Sequence, residues 1–262
     1  TAYAYNATCI FEGTNVAEGR GTTTPFELIG APWLKSERLA EELNMPLDHW
    51  ALPWQKHTNN MAHVTSNDKG KGAYDKNTSI MNVDAVYTTE PNILIGVFTA
   101  DCLGILVVDE TTPCICAIHS GWKGTTLEIT KKCLSELIEK DLIHPESCHI
   151  YFSPSIQFDS LEVGMEVVEQ MKQISIDTTP FVRYMPNEKA YIDNQGINIE
   201  MCKELGIPAK TFIQANMIQK KSSIHVLAIV MINKQANTLP SDTLNKPKSA
   251  TWVFLSFTKT II

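Results

Sequence analysis

With 262 residues, 44% of them hydrophobic and 19% charged, the chain is long enough for one large domain or two small ones and needs no staples to fold. Its net charge of −7 argues against nucleic acid as a partner, because phosphate binding needs a concentrated positive field; a small-molecule substrate fits better. The longest apolar stretch, Ile224–Ile232, is about half of the roughly 20 residues that span a bilayer, so no membrane partner is expected.

In chain order, residues 1–33 are rich in Thr and Gly, show little periodicity, and read as loop with short strands. They lack a basic start followed by an apolar run, so no signal peptide is expected. Lys35–Leu43 reads as a helix. Ile93–Thr99 is a short apolar run that reads as a buried strand, followed by strands at Gly104–Val108 and Cys114–His119. Thr125–Lys140 carries Leu127, Cys133, Leu134 and Leu137 at helical spacing, and Cys148–Phe152 reads as a strand. Leu161–Ile174 places Val163, Val167, Val168 and Met171 on one helical face. Ala190–Asp193 reads as a strand, Asn198–Leu205 as a helix closed by Gly206, and Thr211–Gln214 as another strand. From Met217 to Ile262 the composition changes, with a Ser/Asn/Lys/Pro-rich stretch (Asn233–Ser249) between two apolar runs, and no assignment is made. Strands mixed with helices imply mixed β-sheets flanked by helices, an α+β (layered α/β) class. The expected organisation is an N-terminal segment at 1–33, a catalytic domain at 34–216 and a divergent C-terminal segment at 217–262.

The seven cysteines (9, 102, 114, 116, 133, 148 and 202) contain no C-x-x-C pair, which speaks against a zinc ribbon or a thioredoxin-type site. Cys114 and Cys116 point the same way on a strand and read as buried, reduced thiols; a reducing cytoplasm is the expected setting. His119 ends one strand and runs directly into Ser-Gly-Trp-Lys-Gly, where glycines let a ligand approach the backbone. Cys102 follows the Ile93–Thr99 strand within Thr-Ala-Asp-Cys, so two neighbouring strands can deliver a thiolate and an imidazole to one sheet edge. His57, in Trp-Gln-Lys-His, can supply a third ligand, and three protein ligands are the usual number in a catalytic zinc site. Spacing alone leaves the alternative of ordinary structural residues open. His49, His63, His144, His149 and His225 read as surface residues.

The stretch from Trp54 to Asn216 resembles the bacterial laccase-domain family of multicopper polyphenol oxidases and purine nucleoside phosphorylases. The resemblance is carried by Gln55-Lys56-His57, Asp84-Ala85-Val86, Thr99-Ala100-Asp101-Cys102 and Ala117-Ile118-His119-Ser120-Gly121-Trp122-Lys123-Gly124, and more weakly by Ser153-Pro154-Ser155-Ile156 and Glu162-Val163-Gly164. It implies a fold of layered sheets with outer helices, similar to the catalytic domain of cytotoxic necrotizing factor. It also implies one zinc per chain, held by His57, Cys102 and His119, with phosphorolysis of adenosine, inosine and methylthioadenosine and deamination of adenosine. Lys123 is then the candidate for holding an anionic oxygen, with Arg183 second, and Asp101 for proton transfer or for orienting its neighbour. Asp84, Glu162, Gln55 and Ser153 are candidate substrate-binding residues. Two stretches depart from the family: Thr8–Trp33 resembles a fragment of exo-acting muramidases, and the chain after Asn216 continues unlike the family's aromatic, arginine-rich end.

Three other readings compete. Copper, Cu2+, would be required for oxidation of phenols; no His-x-His pair occurs among the seven histidines, which argues against a multicopper cluster within one subunit, yet two His and one Cys also form a blue-copper ligand set. A purely structural metal would need a fourth ligand such as Cys114 or Cys116. A cysteine hydrolase would use Cys102 as nucleophile and His119 as base. The His-x-Glu…Pro-Cys-x-x-Cys signature of zinc deaminases is absent.

Overall fold

The structure, a computed structural model, describes residues 37, 40, 41, 43–99, 101–214, 227–233 and 250–256, the last two ranges as backbone alone. The expectations for residues 1–33 and for the Asn233–Ser249 stretch lie outside the described residues, apart from the terminal Asn233. The chain divides into two compact units, Thr1–Leu47 and Asp48–Ile262. In the first, Glu37, Ala40 and Glu41 are helical. Asn44 stops that helix in the left-handed region (φ 49°), a conformation Asn tolerates, while the Met45 N–H donates to the Ala40 carbonyl.

The second unit begins with short strands: β1 (Trp50–Ala51), β2 (Pro53–Trp54), β3 (Met61–His63), β4 (Ile80–Met81) and β5 (Ala85–Thr88). The longer strands β6 (Ile93–Thr99), β7 (Leu103–Asp109) and β8 (Ile115–Ser120) follow, then helices α1 (Trp122–Thr126) and α2 (Ile129–Glu139). Next come β9 (Cys148–Phe152), β10 (Glu162–Gly164), α3 (Met165–Met171), β11 (Val182–Met185), β12 (Lys189–Ile192), α4 (Asn194–Glu204) and β13 (Phe212–Gln214). The last two strands are β14 (Leu227–Asn233) and β15 (Ala250–Ser256).

A six-stranded mixed sheet in the order β13-β9-β7-β8-β5-β3 forms the centre. Side chains alternate across it, so each strand supplies two cores. Leu103, Ile105, Val107, Cys116 and Ile118 pack with Ile129, Cys133, Leu134 and Leu137 of α2 and Cys202 of α4. Leu106, Val108, Ile115 and Ala117, on the other face, pack with Ile93, Ile95 and Val97 of β6. β6 belongs to a four-stranded sheet, β1-β6-β14-β15, so the layers run helices, sheet, sheet. Burial on both faces explains why β6, β7 and β8 read as unbroken apolar runs rather than alternating ones. A small sheet, β10-β12-β11, packs Val163, Val167, Val168 and Met171 against Ala190, Ile192, Ile197 and Met201. The expected α+β class with mixed, layered sheets is the one observed.

Local differences from the sequence reading have physical reasons. Thr125–Lys140 is not one helix: Glu128 takes φ 53°, which ends α1 and starts α2 in a new direction, and Leu127 of the expected apolar stripe is left 42% exposed. Leu161–Ile174 starts as strand β10, because Val163 pairs with Ala190, and turns helical only at Met165. α4 starts four residues earlier than Asn198, where the Asp193 side chain caps it by accepting from the Gly196 N–H. The unassigned C-terminal stretch contributes β14, whose backbone pairs antiparallel with β6 along its whole length.

Candidate metal centre

β8 sorts its last two residues by alternation. Ser120 faces the helices, where its hydroxyl donates to the Asn198 side-chain oxygen; that oxygen also accepts from Thr130, and the Asn198 amide donates to Thr125 Oγ1. Asn194 donates to the Ser120 carbonyl at 2.9 Å. This buried network pins the turn that follows the strand. His119 faces the other way, and its Nδ1 lies 2.9 Å from Asp84 Oδ1.

Asp84 is fully buried, and its carboxylate is the hub of the site. Besides His119 it accepts from the backbone N–H groups of Lys56 (3.1 Å), His57 (3.0 Å) and Thr58 (2.7 Å) and from the Thr58 hydroxyl (2.8 Å). Three consecutive backbone donors wrapped around one anion form a nest. His57 takes a left-handed φ of 57°, a conformation that costs a non-glycine residue on the order of 1 kcal/mol or more and is met at functional sites. The nest offsets that cost and turns the His57 ring towards His119, with ring centroids 4.9 Å apart and nearly perpendicular.

Cys102 sits in the bend that precedes β7, at Asp101–Cys102, so strand alternation does not apply to that pair. The ligand atoms of His57, Cys102 and His119 all lie within 4.8 Å of one another. A tetrahedral zinc with bonds of about 2.0–2.3 Å holds its ligand atoms roughly 3.3–3.8 Å apart, so small side-chain movements suffice for this soft and borderline donor set to hold one ion. His119 is buried, Cys102 half-buried and His57 exposed, which leaves the approach on the His57 side. Gly121 makes the close packing feasible: a Cβ there would stand 2.7 Å from Cys102 Sγ and 3.4 Å from His57 Cδ2.

The electrostatics follow from the contacts. Burial opposes charge on Asp84, but the hydrogen bonds from His119, Thr58 and Lys56 outweigh it and hold the carboxyl well below the usual range. Burial also disfavours the Cys102 thiolate, yet its hydrogen bonds to His119 and His57 bring the thiol down to about 7. Burial would lower His119, whereas its hydrogen bonds with Asp84 and Cys102 raise it to about 9. Without metal, the hydrogen bonds among Cys102, His119 and Asp84 favour the ionised thiol and the protonated imidazole over their neutral forms.

The other expected site residues separate into two groups. Lys123 is exposed on α1, two residues beyond Gly121, and Asp101 is half-buried beside Cys102, its carboxyl raised by burial. The remaining five are engaged within the protein. Asp84 is the hub already described, behind the ligands rather than facing open space. The Gln55 amide spans the backbone of Phe98, donating to its carbonyl and accepting from its N–H, both at 2.8 Å. Ser153 is buried, accepts from the Gly104 N–H and donates to the Pro154 carbonyl. Glu162 pairs with Lys189 at 3.1 Å. Arg183 pairs with Asp159 at 2.8 Å and lies about 5 Å from the rings of Phe158 and Tyr191, on the small sheet. Cys114 and Cys116 lie in the core beneath α2 and are outside the ligand group, so among the described residues no fourth protein ligand joins the three. Sequence reasoning missed Thr58, Asn194 and Asn198; the available signal was two asparagines one turn apart on a helix face shared with Ile197 and Met201.

Comparison with known proteins gives the family and the fold. The family described as Multi-copper polyphenol oxidoreductase laccase matches residues 34–222, and Exo-beta-N-acetylmuramidase NamZ, C-terminal, matches residues 3–57. A purine nucleoside phosphorylase of Staphylococcus saprophyticus is 30% identical over 172 residues, 66% of this chain and 64% of the relative. Adenosine deaminase RL5, from an unknown prokaryotic organism, is 30% identical over 178 residues, 68% of each chain. The crystal structure of YlmD from Geobacillus stearothermophilus superposes with a TM-score of 0.67 at 26% identity, covering 70% of this chain and 68% of that one. The chain thus spans a little under two thirds of the length of most of the curated relatives it matches.

Proposed function

We propose that this chain, which belongs to the multi-copper polyphenol oxidoreductase laccase family, is a purine nucleoside phosphorylase that uses one zinc ion. It acts on adenosine, inosine and methylthioadenosine and also deaminates adenosine. The observation that carries the reading is the convergence of the ligand atoms of His57, Cys102 and His119 to within 4.8 Å of one another, with the buried Asp84 carboxylate behind the two histidines. Relatives named purine nucleoside phosphorylase and adenosine deaminase give the substrate class. The catalytic region is 34–216, preceded by an N-terminal segment at 1–33 and followed by a divergent C-terminal segment at 217–262 that supplies β14 and β15 to the sheet containing β6, and the setting is cytoplasmic. Among the described residues no helix is long and apolar enough to cross a membrane.

His57, Cys102 and His119 would hold the ion, and Asp84 fixes the ring of His119 and the backbone of His57. When bound, the metal supplies a Lewis acid able to polarise water or a substrate oxygen. In phosphorolysis a phosphate oxygen attacks ribose C1′, the C1′–N9 bond breaks with its electron pair leaving on the purine, and the purine takes up a proton. Lys123 holds the anionic phosphate oxygen, and Asp101 carries the proton. Gln55, Ser153, Glu162 and Arg183 support the surrounding loops through the contacts they already make.

The test is elemental analysis of purified protein, paired with chromatography after incubation with adenosine, with and without phosphate. One zinc per chain, phosphate-dependent adenine and phosphate-independent inosine are the expected results; formation of neither product ends the reading. The second reading, a copper-dependent polyphenol oxidase, draws on the same two-His, one-Cys donor set. It predicts bound copper and oxygen uptake with a phenol.

A further inference from the structure

A second feature lies beside the ligand loop and plays no part in the chemistry above. β2 pairs with β4, and next to them a groove of about 370 Å³ opens, walled by Leu52, Pro53, Trp54 and Phe98 and edged by Lys76 and Ser79. Its volume lies at the lower end of the roughly 300–1,000 Å³ range of small-molecule sites. Phe98 is 45% exposed because it lies on the face of β6 opposite to Ile93, Ile95 and Val97, and the Gln55 amide bonds its backbone at the groove. Two ammonium groups gather on the single Trp54 ring, Lys56 Nζ at 5.2 Å and Lys76 Nζ at 5.4 Å from its centroid. Lys71, Lys131, Lys140, Lys172, Lys189 and Lys203 each hold a carboxylate. Among the described residues Lys56 and Lys76 hold none, nor do Lys69, Lys123, Lys132 and Lys210, but Lys56 and Lys76 alone share one aromatic ring.

Like charges drawn to one aromatic ring with no counter-ion among the described residues, next to exposed aromatic surface, complement a ligand that is both ring-bearing and anionic. We propose that this groove is a second binding site, for a purine nucleoside 5′-monophosphate, with the base against the Trp54–Phe98 wall and the phosphate at Lys76, which edges the groove, while Lys56 adds positive charge from its place on the Trp54 ring. The volume favours a bicyclic ring with a sugar phosphate over a single phenolic acid. The site does not depend on the metal, so it stands or falls separately from the reading of the metal centre.

The experiment is calorimetric titration of the full chain, stripped of metal by a chelator, with AMP, adenosine and ribose 5-phosphate. AMP should bind with a Kd below about 1 mM, with adenosine (ring without charge) and ribose 5-phosphate (charge without ring) at least tenfold weaker. Lys76→Gln should weaken AMP at least fivefold and leave adenosine unchanged, and Lys76→Arg should restore AMP. Lys76 sits on an exposed single-turn helix, so these variants test binding rather than folding, and circular dichroism verifies that. AMP bound no more tightly than adenosine, or unaffected by Lys76→Gln, overturns the proposal. So does loss of AMP binding in metal-free Cys102→Ser, which would place AMP at the ligand cluster instead.

Discussion

Gly121→Ala adds one methyl group at the point where the ligands come closest to the backbone. Gly121 has φ −71° and ψ 174°, an extended conformation open to any residue, so alanine meets no backbone penalty and the effect is steric. The new Cβ would stand 2.7 Å from Cys102 Sγ, whereas ordinary contact begins near 3.4 Å. The sulfur must therefore retreat by roughly 0.7 Å, several times the ~0.2 Å tolerance of a metal–ligand bond. Overpacking of this kind costs about 1–3 kcal/mol, and disturbing a ligand's support weakens metal binding by about 10–100-fold. Competition against a chromophoric zinc chelator measures the affinity, and thermal unfolding of the metal-free protein separates it from stability. Gly124→Ala is the control, since its Cβ would meet Ile129 at 3.3 Å and the His119 carbonyl at 3.5 Å without touching a ligand side chain. Zinc affinity of Gly121→Ala within twofold of the wild type would refute the assignment of this turn to the metal site.

Asp84→Asn should destabilise the metal-free protein by about 2–4 kcal/mol, because an amide cannot accept from the four donors of the His57 loop and from His119 together. The folded carboxyl lies below its ordinary value of 3.8, so its contribution is present above about pH 4 and is lost as pH falls; urea titrations across that range should show the variant losing less stability on acidification than the wild type. In metal-free protein at pH 7.5, iodoacetamide should modify Cys102 ahead of the other described cysteines. Burial pushes Cys114 and Cys133 up to about 12 and Cys116, Cys148 and Cys202 higher still, while Cys102 lies near 7. Zinc should block the reaction, and peptide mapping that finds Cys102 equally labelled with zinc present would count against metal ligation by that thiol.

Much of this protein was legible along the chain wherever the physical cause is local. Burial on both sheet faces requires uninterrupted apolar runs, which is why Ile93–Thr99 and Cys148–Phe152 could be read to the residue. The Thr-Ala-Asp-Cys and His-Ser-Gly-Trp-Lys-Gly stretches pointed to a thiolate and an imidazole at strand ends, since glycine beside a ligand signals close backbone approach. Helix boundaries were less legible, because the break at Glu128 depends on a backbone angle that neither apolar spacing nor composition encodes. The role of Asp84 lay beyond local pattern altogether. A buried aspartate preceding a strand looks the same whether it caps a turn, touches substrate or holds two ligands 27 and 35 residues away. Only the folded chain brings the His57 nest and the His119 ring to the same carboxylate, because its position is set by the pairing of β5 with β8 and not by anything within hydrogen-bonding reach in sequence.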